Sequence, residues 1–101
     1  PAHCKCVTAQ NEALAAAGAR LVLPVAYPHN THIWNQFTLR VLGAGQRDAL
    51  RDHLASRQIG CEIYYPVTMD LQKCFADTPA ASRAGCEVAH QLASQVLSIP
   101  I

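Results

Sequence analysis

The stretch HIWNQFTLRV, residues 32–41, constrains the fold more than any other part of this chain. Successive side chains of an extended strand point to opposite faces. Ile33, Asn35, Phe37, Leu39 and Val41 therefore share one face, and His32, Trp34, Gln36, Thr38 and Arg40 the other. This pattern predicts a strand lying over a core. Two shorter strands are expected beside it. One is an apolar piece of RLVLPVAYPHN, broken by Pro24 and Pro28, and the other is Cys61–Tyr65. Pro66 ends the latter because its ring nitrogen has no hydrogen to donate. VLSIP, residues 96–100, closes the chain as a further strand.

Helical stretches separate these strands. Residues 4–17 are alanine-rich, with Val7, Gln10, Asn11, Leu14 and Ala17 on one stripe and Gly18 as a stop. QRDALRDHLASRQ, residues 46–58, turns Ala49, Leu50 and Leu54 inward and Asp48, Arg51 and Asp52 outward. DLQKCFA, residues 70–76, supplies one or two turns with Leu71, Cys74 and Phe75 on one side. Thr78-Pro79 has the form of a helix start. The helix it opens is expected to run to about Gln95, with Ala81, Ala84, Val88 and Leu92 on one stripe. The order predicts a two-layer α/β (α+β) sandwich, a small and mostly antiparallel sheet with helices on one face.

At 101 residues the chain is expected to form a single domain. Its net charge of +1 carries no basic run, which argues against a nucleic-acid partner. No apolar stretch approaches the roughly 20 residues of a membrane span. Five cysteines at irregular spacing do not make a disulfide framework. They predict reduced thiols in a cytoplasmic protein, with Cys61, Cys74 and Cys86 as small apolar fillers facing a core. His3, Cys4 and Cys6 lack the second ligand pair that a zinc site needs, so no metal is expected. The chain begins as a helix already in progress and stops at an apolar strand, so both ends read as cut.

Chemistry-bearing motifs are sparse. GAG at 43–45 precedes a charged helix without the lysine of a phosphate loop, and no serine occupies a nucleophile elbow. The five histidines show no metal spacing. Three features remain. Asn35 sits on the apolar face of the predicted strand, either as a structural amide or as a group reaching beyond this domain. Tyr64 and Tyr65 point to opposite faces, one packing inward while the other presents a phenol. Asp70 opens a short helix, where capping alone would account for a carboxylate.

HIWNQFTLRV, RDALRDHLASRQIG, IYYPVTMDLQKCF and VLSIPI together resemble, in order and spacing, the C-terminal part of the DegT/StrS-type sugar aminotransferases of the aspartate-aminotransferase superfamily. The third block resembles H/Y-Y-P-x-P-L-H-x-Q-x-x-F and the last L-S-L-P-I-Y-P. The resemblance implies the small C-terminal domain of a fold-type I pyridoxal-phosphate enzyme. That enzyme would move an amino group from glutamate to a keto sugar nucleotide, in cell-surface polysaccharide or secondary-metabolite biosynthesis, and would act as a homodimer. The Schiff-base lysine and the phosphate-binding groups would lie in an N-terminal domain outside this chain. Residues 1–101 alone would then bind no cofactor, hold no catalytic residue and be inactive, with apolar surface uncovered near the first helix and the final strand. The substrate-facing residues the resemblance implies are Tyr64 and Asp70, and Asn35 joins them as the polar group on the apolar strand face. Three positions depart from the pattern: Thr68 replaces proline, Asp70 replaces a substrate-facing histidine, and Gln58 replaces a glycine, the last expected to be neutral. The alternatives are a free-standing α/β binding module and a homologue that has lost catalysis.

Overall fold

The computed structural model describes residues 11–78 and 85–101. Helix α1 covers residues 11–16 and ends where Gly18 turns left-handed at φ 69°. The Ala19 amide then reaches back to the Leu14 carbonyl at 2.9 Å and the Gly18 amide to that of Ala15 at 3.0 Å. This is the glycine-terminated helix end expected from the sequence. The rest of the predicted first helix, and the stretch from Pro79 to Ala84, lie outside the described residues.

Three antiparallel strands form the sheet: β1 (Leu21–Val22), β2 (Phe37–Val41) and β3 (Val96–Ile99), with β2 in the middle. Leu21 faces Val41, and Leu39 faces Leu97. Leu39, Val41 and Leu97 make the buried core, and Leu21, Leu23, Leu50, Leu54, Cys61, Ile63 and Ile99 pack around it. The alternation in HIWNQFTLRV places the core correctly but overstates the length of the strand. Trp34 has φ 51°, outside the extended region, so Ile33 and Asn35 never join the pleat. His32 stacks on the Trp34 ring at 3.9 Å, and Phe37 leans against it at 5.2 Å.

Helix α2 (Gln46–Ser56) lays Leu50 and Leu54 on the core, while Ala49 stays exposed. Its Arg47 is turned inward as well, donating to the carbonyls of Ala93 and Val96 at 3.1 and 3.3 Å. These contacts satisfy carbonyls left free at the end of the next helix. Gln58, beyond α2, takes the left-handed φ of 60° that a glycine would supply. Its replacement of glycine is therefore not neutral, because a side chain in that region costs roughly 1–2 kcal/mol.

The predicted strand Cys61–Tyr65 reduces to one bridge, in which Glu62 and Ser98 exchange backbone hydrogen bonds at 2.9 Å. The ladder cannot continue because the chain turns away at Tyr64. DLQKCFA forms two 3₁₀ turns, Met69–Leu71 and Lys73–Phe75. Helix α3 (Glu87–Gln95) follows Gly85 at φ 91°, and the predicted helix start after Thr78 lies outside the described residues. The Thr78 hydroxyl instead donates to the Phe75 carbonyl at 2.9 Å. The half-buried stripe of α3 is Cys86, His90 and Ala93, whereas Val88 and Leu92, expected inward, are exposed. Cys61 borders the core and Cys86 is half-buried, but Cys74 is exposed rather than core-facing. α2 and α3 touch each other and the sheet.

Candidate substrate-facing site

Asn35 is exposed, and among the described residues no hydrogen bond holds its amide. The expected structural amide is found elsewhere, at Asn11 on α1. Its Oδ1 accepts from the Leu23 amide at 2.7 Å and its Nδ2 donates to the Leu23 carbonyl at 3.0 Å. Both halves of the side-chain amide are thus used, clasping α1 to the chain leaving β1. Asn11 was visible on the apolar stripe of the first helix. Its partner was not, because nothing local links positions 11 and 23.

Asn35 and Tyr64 line one open groove of about 510 Å3 at the end of β3. Glu62, Ser98, Pro100 and Ile101 complete its polar and apolar walls. Neither Tyr64 nor Tyr65 packs inward, since both rings are exposed. Their strand ends before it can present one face to the core. Asp70 belongs to a separate, more apolar cavity of about 580 Å3 between residues 65–78 and α3, lined by Tyr65, Val67, Thr68, Met69, Phe75 and Cys86 among others. The fold therefore brings Asn35 and Tyr64 together and sets Asp70 in a separate cavity that Tyr65 also lines.

Asp70 is not a cap. It lies inside the first 3₁₀ turn, where Thr68 holds the capping position and no side chain caps the turn. Its Oδ2 instead accepts from Nε2 of His90 on α3 at 2.6 Å. The Asp70 side chain keeps 11% of its exposure and that of His90 32%. The Asp70 carboxyl is held below the usual carboxylate range, first by the Thr68 hydroxyl beside it. Partial burial opposes this, and the hydrogen bond and charge of His90 add to it. The Thr68 hydroxyl is itself buried without a partner of good hydrogen-bond geometry. It acts as a nearby dipole, and the His90 bond is what fixes the carboxylate in place. His90 was missed because its partner lies 20 residues away and its spacing matches no motif. Among the described residues no three His, Cys, Asp or Glu side chains converge as a metal site. No helix among them is long and apolar enough to cross a membrane.

A small antiparallel α/β domain with an open, mixed groove is compatible with many activities, and comparison with known proteins narrows them. Residues 4–101 match the DegT/DnrJ/EryC1/StrS aminotransferase family, and the chain belongs to it. It is 37% identical over 84 residues to a UDP-N-acetyl-3-dehydro-alpha-D-glucosamine 3-aminotransferase of Acidithiobacillus ferrooxidans, covering 83% of this chain and 21% of that protein. It is 38% identical over 79 residues to a dTDP-3-amino-3,4,6-trideoxy-alpha-D-glucose transaminase of Streptomyces venezuelae, covering 78% and 20%. The crystal structure of S. venezuelae DesV in complex with a ketimine intermediate superposes on 96% of this chain and 25% of its own, with TM-score 0.71 and 33% identity. The chain thus spans about a fifth to a quarter of the length of these relatives.

Pyridoxal phosphate attaches through a lysine amine that is desolvated and neutral. Lys73 is exposed, on the second 3₁₀ turn, and Lys5 lies outside the described residues. Lys73 does not fit that role.

Proposed function

We propose that this chain is the small, substrate-side domain of a pyridoxal-phosphate-dependent aminotransferase that transfers an amino group from glutamate to a keto sugar nucleotide. The cofactor and its lysine belong to the remainder of a longer polypeptide, and the present residues bind and orient the sugar. The observation that carries this reading is the family match over residues 4–101, reinforced by relatives that are themselves sugar transaminases. In this reading Tyr64 and Asn35 face substrate from one groove, where a phenol and an amide can both donate and accept hydrogen bonds. Asp70 faces it from the neighbouring cavity. An ionised carboxylate accepts hydrogen bonds and repels a diphosphate, so Asp70 suits the hydroxyl-bearing or amine-bearing part of the sugar.

The test is steady-state kinetics of the full-length protein with glutamate and a panel of UDP- and dTDP-linked keto sugars. Asp70→His is expected to change the ratio of kcat/KM between sugars by roughly tenfold, within the range that a few polar contacts discriminate. Absence of transamination with every sugar would overturn the activity. Identical profiles for the two proteins would remove Asp70 from the substrate site.

A further inference from the structure

Residues 64–78 form a strap whose backbone hydrogen bonds, among the described residues, are all internal, such as Leu71 to Thr68 at 3.0 Å and Phe75 to Gln72 at 3.0 Å. Among the described residues, one hydrogen bond leaves the strap for the rest of the fold, that of Asp70 to His90. The sheet lends no further support, because the last paired residue before the strap is Glu62. From these observations we propose that His90 is a positioning residue for the candidate site. Through its single bond it sets where the strap, and with it the Asp70 carboxylate, stands beside α3.

The geometry favours this role over an incidental surface pair. Asp70 is the more covered partner, so the carboxylate is held between the strap and α3 rather than waving in solvent. His90 lies on the half-buried stripe of α3, whose end is anchored by Arg47, so the imidazole projects from a fixed helix. Its other charged neighbour is Glu87, one turn earlier, and that carboxylate is committed to its own and the Gly85 amide. A donor fixed on the body and an acceptor carried by a strap that has, among the described residues, no other hydrogen bond to the body form a hinge stop. The strap also carries Tyr64, so the same bond indirectly limits the groove that Tyr64 shares with Asn35.

This inference rests on the proposed function for its kinetic arm and is independent of it for its structural arm. The full-length protein, its His90→Ala, His90→Gln and Asp70→Asn variants would be compared by hydrogen exchange and by kinetics. His90→Ala is expected to speed amide exchange over residues 69–76 by roughly tenfold or more, while β2 and β3 stay unchanged. It should raise KM for the keto sugar by about tenfold through misplacement of the site. Glutamine keeps a donor at similar reach, so His90→Gln should restore both readouts toward wild type. Asp70→Asn keeps an acceptor oxygen but removes its charge, so it weakens the bond from the strap side, away from α3, and should loosen the same amides less than His90→Ala does without disturbing the helix. Unchanged exchange in His90→Ala, an unmoved KM, or a His90→Gln variant as impaired as the alanine would overturn the proposal. If the wild-type protein transaminates no sugar, the functional reading fails, and the exchange comparison alone decides the tie.

Discussion

The sheet and the strap draw on similar side chains and treat them in opposite ways. In the sheet, Leu97 is 1% exposed and is covered by Leu39, Val41 and the leucines of α2. In the strap, Tyr65 is 76% exposed, and Tyr64, Val67, Met69, Leu71 and Phe75 also face outward. The difference lies in backbone pairing. β2 is bonded on both edges, so every second side chain is forced onto the core. The strap pairs only with itself in short turns, and its side chains follow no face of the fold. Large apolar side chains are thus exposed on the strap, at Val88 and Leu92 of α3 and at Ile101, and also from β1 onward at Val22, Val25, Tyr27 and Ile33, while most of the final strand is covered.

The largest effect that could break this contrast is in the core. Leu97→Ala should cost about 2–5 kcal/mol by leaving a cavity, whereas Tyr65→Ala should stay within about 0.5 kcal/mol. Urea unfolding midpoints of the 101-residue chain would compare them, and a comparable loss at Tyr65 would mean that the strap is part of the core. A second pair sharpens the boundary. Asn11→Ala should cost roughly 1–3 kcal/mol by orphaning the Leu23 amide and carbonyl, and Asn35→Ala should be close to neutral. The reverse order in the same melts would restore Asn35 as the structural amide. The smallest effect concerns strain stored in the body. Gln58 is held left-handed by the bonds that close α2, Gln58 to Ala55 at 2.9 Å and Ile59 to Leu54 at 3.0 Å. Gln58→Gly should raise stability by about 0.5–1 kcal/mol, the relieved strain less glycine's extra chain entropy. A lower midpoint would show that the Gln58 side chain does something its backbone does not require.

Local pattern and punctuation in the sequence determined the helix stop at Gly18, the core residues Leu39 and Val41, the closing strand and the paired short turns after Pro66. Each depends on neighbours within a few residues: a left-handed glycine, a two-residue period, a missing amide hydrogen. The family was also legible there, because four ordered blocks are a property of the chain itself. Long-range geometry lay beyond it. The strand stops at Phe37 because Trp34 leaves the extended region to stack between His32 and Phe37. Asn11 rather than Asn35 became the clasp because the turn after α1 brings Leu23 back beneath it. Asp70 became the partner of His90 rather than a cap because the strap folds its first 3₁₀ turn against α3. In all three a polar or aromatic group had several ways to satisfy itself locally, and only the packing of distant elements chose between them.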